Sequence, residues 1–130
     1  MRVVDGDTLV VDRGRGEEKL RLIGIDCPES VNSDKSKNTE EGRVASNFTK
    51  SVVSVGQAVW LQKDTSDTDR YGRLLRYVWL EKPTLDKDPE EVATKMLNGL
   101  LVKQGHAEPK RYAPDTAYAE VFESIKRYTF

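Results

Sequence analysis

Apolar residues along this chain fall into short runs separated by polar, glycine-containing stretches, and two longer segments carry helical spacing. Val3–Val11 and Lys19–Ile25 read as strands joined through the turn "DRGRGEE". "VNSDKSKNTEEG" has no periodicity and reads as a polar loop. From Arg43 onward, Val44, Phe48 and Val52 recur every fourth residue, which predicts an amphipathic helix. "AVWLQ" and "RLLRYVWL" predict two more strands around the polar loop "KDTSDTDRYG". "LDKDPEEVATKMLNGLLVKQG" then predicts a helix with strong punctuation: Asp88 as cap, Pro89 in the first turn, Glu91 completing a capping box and Gly105 as terminator. Val92, Met96, Leu97, Leu100 and Leu101 form its apolar stripe, and Tyr118, Val121, Phe122 and Ile125 mark a last helix. Strands cluster and do not alternate with helices. That order disfavours a doubly wound parallel sheet and favours a small antiparallel barrel with packed helices.

Length and composition narrow the class. The 130 residues suffice for one domain with a real core. Charged residues at 33% and hydrophobic ones at 37% fit a globular domain with a heavily solvated surface. No apolar run approaches the ~20 residues of a membrane helix. The chain enters its first strand almost at once, with no signal peptide before it, which suggests a fragment trimmed at both ends or a mature form. Cys27 is the only cysteine, so an internal disulfide and a Cys-rich zinc site are excluded. His106 is the only histidine, which excludes a two-His metal site; beside Gly105 in a polar setting, it reads as a surface residue. The net charge of -1 does not describe a strongly basic nucleic-acid binder. The stretch Glu81–Glu91 is the acidic part, with five acids against two lysines, and reads as an extended turn leading into the capped helix.

Candidate chemistry lies in three places. "VVDGDTLVV" puts Asp5 and Asp7 inside an apolar run, where charge is tolerated only if paired or metal-bound. On an extended strand the two acids share a face. If "DG" is instead a hairpin turn, they diverge and both can be solvated. "RLIGIDCPES" carries Arg21, Asp26 and Glu29, and "TDRYGRLLRY" carries Arg70, Arg73 and Arg76. "DGDTLVVD" lacks the sixth-position glycine and twelfth-position glutamate of an EF-hand, and the stretch from Asp67 has Gly72 but ends in Val78, so any cation site must gather acids from separate strands.

"VVDGDTLVV", "RLIGIDCPE", "DRYGRLLRYVW", "MLNGLLVKQG" and "RYAPDTAYAEVF" occur in the order, and near the spacing, of the staphylococcal nuclease (thermonuclease) family, which the chain resembles over nearly its whole length. The resemblance implies an OB-fold, a five-stranded antiparallel barrel with three helices, spanning residues 1–130 as a single domain. It implies a calcium-dependent phosphodiesterase, endonuclease or exonuclease, acting on DNA and RNA as a monomer, in a secreted or cell-envelope bacterial setting. Position by position, Asp7 and Asp26 resemble the calcium-ligating carboxylates, and the backbone carbonyl of Cys27 a third oxygen. Asp5 resembles an acid that supports the metal site without being a principal ligand. Glu29 matches the carboxylate that activates water, and Arg21 and Arg73 the arginines that grip the scissile phosphate. Arg70, Tyr71 and Tyr112 match substrate-binding positions, with Arg111 an alternative to Tyr112. A stretch around Pro83–Val92 is inserted relative to the family pattern. The competing expectation is a catalytically inactive OB-fold module that binds nucleic acid or protein, as in Tudor-associated repeats. Such copies typically lose acids or arginines, whereas Asp7, Arg21, Asp26, Glu29 and Arg73 are all present here.

Overall fold

The computed structural model describes residues 2–27, 40–84 and 87–128, without the side chain of residue 128. Its centre is a mixed sheet of order β1-β2-β3-β6-β5, formed by β1 (Arg2–Asp5), β2 (Thr8–Asp12), β3 (Glu17–Leu22), β5 (Trp60–Gln62) and β6 (Leu74–Trp79). A separate two-stranded ribbon joins β4 (Ile25–Asp26) to β7 (Glu108–Pro109). Helices α1 (Glu40–Val52), α2 (Pro89–Lys95), α3 (Leu97–Lys103) and α4 (Ala119–Tyr128) complete the described elements. The polar loop expected at 31–42 falls mostly outside the described residues, and its last part begins α1.

Several expectations are corrected. Val3–Val11 is two strands: a turn at Gly6 and Asp7 folds β1 back on β2, with Asp5 opposite Thr8. Likewise Lys19–Ile25 breaks at Ile23 and Gly24 into the end of β3 and the start of β4. The sheet is not wholly antiparallel, because β3 and β6 pair in parallel, Leu20 opposite Leu74 and Arg21 opposite Leu75. Among the described strands the sheet is open, with β1 and β5 at its edges, so closure into a barrel is not seen. Among the described residues four helices stand where three were expected, because Met96 takes an extended conformation (φ -94, ψ 126) and splits the long helix. A β-bridge between Met96 and Trp79 accompanies that break, so the kink ties the helices to β6.

Periodicity located the helices better than their faces. In α1 the buried residues are Gly42, Ala45, Ser46 and Thr49, while Val44 is exposed and Phe48 and Val52 are only partly covered. Space explains the choice of small residues. A Cβ on Gly6 would lie 3.1 Å from Cys27 Sγ and 3.2 Å from Ala45 Cβ, so the β1–β2 turn and α1 meet at close range. Thr49 Oγ1 donates to the Gly6 carbonyl at 3.0 Å and fastens that contact. The stripes of the later helices hold for Val92, Met96, Leu97, Leu101, Tyr118, Phe122 and Ile125, which are buried, while Leu100 and Val121 are only partly covered. They close over β6, where Tyr77 meets the Tyr118 ring edge-on at 4.6 Å. Asp88 is the N-cap residue of α2 but makes no side-chain cap bond. Glu91 instead accepts from the Thr84 amide (3.1 Å), the Thr84 hydroxyl (2.6 Å) and Lys95 Nζ (2.7 Å), so it staples the acidic insert and does not complete a capping box.

Candidate active site

The β2–β3 register places the first group. Thr8 lies opposite Arg21, and the Leu22 amide donates to the Asp7 carbonyl at 3.0 Å, so the β1–β2 turn sits against the end of β3. Asp7 is therefore buried although it is a turn residue. Its Oδ2 accepts from the Cys27 amide at 2.9 Å and lies 3.3 Å from Arg21 Nη2; its Oδ1 accepts from the Thr8 hydroxyl at 3.3 Å. Both open readings of "DGD" were thus half right: the turn exists, and Asp7 is nevertheless enclosed. Asp5 is half-buried and its Oδ1 accepts from the Gly6 amide at 2.9 Å. Asp26 is exposed, with Oδ1 3.3 Å from Arg21 Nη2 and Oδ2 3.8 Å from Lys110 Nζ.

Electrostatics at this end do not balance. Burial raises the Asp7 carboxyl above its ordinary value; Arg21 and the Cys27 amide pull it down, while Asp5 and Asp26 push it up again. Arg21 is the shared counter-ion. It also spends Nη1 on the carbonyls of Leu22 (2.7 Å) and Ile25 (3.1 Å), so both terminal nitrogens are engaged by the protein. The Cys27 thiol is buried beneath Gly6, and burial followed by the charge of Asp7 pushes its pKa well above the ordinary thiol range. It is packed as a small apolar group.

The parallel β3–β6 pairing brings in the second group. It sets the end of β3 beside the start of β6, so Arg21 and Arg73 come to line one cleft of about 310 Å³ with Asp69, Arg70, Tyr71, Leu75, Tyr112 and Asp115. Arg73 is oriented by Asp69, whose Oδ2 accepts from Arg73 Nε at 2.7 Å and whose Oδ1 accepts from the amides of Arg73 (3.0 Å) and Tyr71 (2.9 Å). Gly72, at φ +81, makes the tight turn this geometry needs. Burial alone would raise the Asp69 carboxyl, but those bonds bring it below its ordinary value. Arg70 Nη2 donates to the Tyr71 hydroxyl at 2.7 Å and its guanidinium lies 4.9 Å from the ring centre. Of the two candidates for the second aromatic position, Tyr112 lines the cleft, whereas Arg111 is held by both oxygens of Glu123.

Two residues that sequence reasoning passed over organise this end. Buried Asp115 accepts at Oδ1 from the amides of Thr65 (3.0 Å) and Ser66 (2.7 Å), while its own amide donates to the Tyr112 carbonyl at 2.8 Å. It ties the loop bearing Arg70–Arg73 to the wall bearing Tyr112. Asp69 carried a legible signal, since an Asp two residues before a turn residue commonly accepts that residue's amide. Glu29 lies outside the described residues. His106, expected at the surface, is partly exposed there: its ring lies 4.6 Å from that of Phe48, and burial lowers its pKa.

Asp5, Asp7 and Asp26 thus lie at the Arg21 end of a cleft lined by three arginines and two exposed tyrosines, and those arginines are suited to binding a polyanion. A model of the family described as staphylococcal nuclease homologue matches residues 19–128, and the chain belongs to that family. It is 39% identical over 127 residues to the thermonuclease of Staphylococcus hyicus, covering 98% of this chain and 67% of the relative. To the thermonuclease of Staphylococcus intermedius it is 37% identical over 126 residues, with 97% and 67% covered. It is also 35% identical over 111 residues to endonuclease YhcR of Bacillus subtilis (strain 168), covering 82% of this chain and 8% of that protein.

Proposed function

We propose that this protein is a nuclease that hydrolyses phosphodiester bonds in DNA and RNA with calcium as its cofactor. The observation that carries the reading is the shared cleft: Arg21 from β3 and Arg73 from the turn before β6 line one space, with the acids Asp7 and Asp26 beside Arg21. The donor chemistry fits a hard cation, since carboxylate oxygens are the preferred ligands of calcium. Asp7 supports that fit: burial and its two acidic neighbours leave its charge under-compensated. Among the described residues no group of three or more His, Cys, Asp or Glu side chains converges as a complete metal cluster. Asp7 and Asp26, with the Cys27 carbonyl, are the groups that would hold calcium, and Asp5 would add negative potential nearby. Bound there, calcium would supply Lewis-acid stabilisation of charge on the phosphate.

The chain's own residues do the rest. Arg73, set by Asp69, offers guanidinium N–H groups to non-bridging phosphate oxygens, which gain charge as water attacks. Arg21 contributes positive potential at the opposite edge and bridges the two carboxylates, offsetting their mutual repulsion. Glu29 takes or orients the proton of the attacking water. Tyr71 and Tyr112 offer ring faces to bases, and Arg70 adds charge for the backbone. We read the open mixed sheet as the OB-type scaffold of this family.

Digestion of plasmid DNA and of RNA, with calcium and with a chelator, tests the reading. Cleavage that needs calcium and falls ~10²–10⁴-fold in Glu29→Gln is expected, the range for losing a positioned base. Calcium-independent cleavage, or none, would refute it.

A further inference from the structure

We propose that Lys110 is a substrate-contacting residue that holds a phosphodiester oxygen next to the one being cleaved, on the Tyr112 side of the cleft; this rests on the nuclease reading. Its position is fixed by the main chain. The Lys110 amide donates to the Gly24 carbonyl at 2.8 Å, immediately after the β4–β7 ribbon pairs Asp26 with Glu108. The ammonium then lies 3.8 Å from Asp26 Oδ2 and 5.6 Å from the centre of the Tyr112 ring. It stands between the carboxylate end of the site and the aromatic wall.

Its neighbours are committed elsewhere. Arg21 is spread over two carboxylates and two carbonyls, Arg73 is held by Asp69, Arg70 by Tyr71, Arg111 by Glu123, and Lys126 pairs with Glu108. Among the described residues, Lys110 has a long ion pair with a half-exposed partner and the contact with the Tyr112 ring, and its own side chain is 55% exposed. Exposed pairs of this kind hold their partners weakly, so the ammonium is available to a stronger anion. A base stacked on the exposed Tyr112 ring would bring its phosphate towards that ammonium. Cation and ring side by side form the pairing that single-stranded nucleic acid uses: stacking for the base, charge for the backbone. A cation drawn to Asp26 would further release Lys110 by repulsion.

The test is equilibrium binding of a short single-stranded oligonucleotide with cleavage-resistant phosphorothioate linkages, in calcium and in chelator, across a series of salt concentrations. The proteins are the unaltered chain, Lys110→Gln, Lys110→Arg and, as a distant control, Lys103→Gln. One lost phosphate contact lowers the slope of log affinity against log salt by about 0.7, or roughly fivefold in affinity at 0.1 M salt. That loss is expected in Lys110→Gln alone, with Lys110→Arg retaining the slope. An unchanged slope in Lys110→Gln, or an equal loss in Lys103→Gln, would overturn the assignment of Lys110 while leaving the nuclease reading intact. If the unaltered chain binds no oligonucleotide in either condition, both fall.

Discussion

The two ends of the candidate site are built from the same residue types and behave in opposite ways. At the arginine end, one acid serves one arginine: Asp69 takes the Arg73 Nε and two amides, and its carboxyl is held below the ordinary range. At the carboxylate end, Arg21 must serve both Asp7 and Asp26, with Asp5 close by, and buried Asp7 is raised above the ordinary range. A paired end is pre-oriented; an under-compensated end has an electrostatic reason to take a cation. The difference follows from backbone placement. Asp69 sits in a turn beside the arginine it orients, whereas Asp7 is enclosed by the closing of β1, β2 and α1 around Gly6.

Breaking the paired end should have the larger effect on turnover. Arg73→Lys keeps the charge but loses the planar fork, and kcat should drop about a hundredfold with modest change in KM; steady-state kinetics on a short oligonucleotide read this. Asp69→Asn is gentler. The amide oxygen can still accept the Tyr71 and Arg73 amides, but the amide nitrogen cannot accept Arg73 Nε. A loss in kcat of about tenfold is expected from the misaimed guanidinium, with a small drop in melting temperature because the fold favours the ionised Asp69 carboxylate that Asn lacks. Equal losses in Asp69→Asn and Arg73→Lys would mean that Asp69 does more than aim its neighbour.

The smallest catalytic effect is expected at the insert. Shortening Pro83–Asp86 removes Thr84 and leaves nearly buried Glu91 without two donors, which should cost about 1–3 kcal/mol of stability. Calcium dependence and turnover of the folded variant should stay as they were. Denaturant melts and calcium titrations of the same preparation separate the two outcomes.

Much of this was legible in the sequence where local rules apply. The helical stripe at Val92, Leu97 and Leu101, the turn glycines and the strand at Leu74–Trp79 are all set by near neighbours. What escaped depends on contacts distant in the chain. Alternation cannot say whether Val3–Val11 runs straight or folds at Gly6, because what favours glycine there is the tight approach of Cys27 and Ala45 and not a positive backbone angle. Nor can it give the parallel partner of β3, which is what brings Arg21 to the cleft of Arg73. The closest contact of α1 favours small residues, so Phe48 and Val52 pack against the core at the margin of that contact and only Val44 of the expected stripe lies exposed. At the site, the matching residues were visible as types and positions; the unequal pairing of Asp7 and Asp69 was not.

Thermal melting of the unaltered chain and Asp7→Asn at neutral pH, with and without calcium, tests the central claim most directly. The folded-state pKa of Asp7 lies above its unfolded value. Its ionisation therefore costs stability once pH has risen through the folded pKa, and that cost vanishes as pH falls below the unfolded one. Asp7→Asn should accordingly melt above the calcium-free parent at pH 7 and lose that advantage near pH 3. Saturating calcium, at about 100 times its dissociation constant, should stabilise the parent by about 2.7 kcal/mol, or on the order of 10 °C, and leave the variant unmoved. A variant less stable than the parent at pH 7, or one stabilised by calcium as much as the parent, would contradict the account.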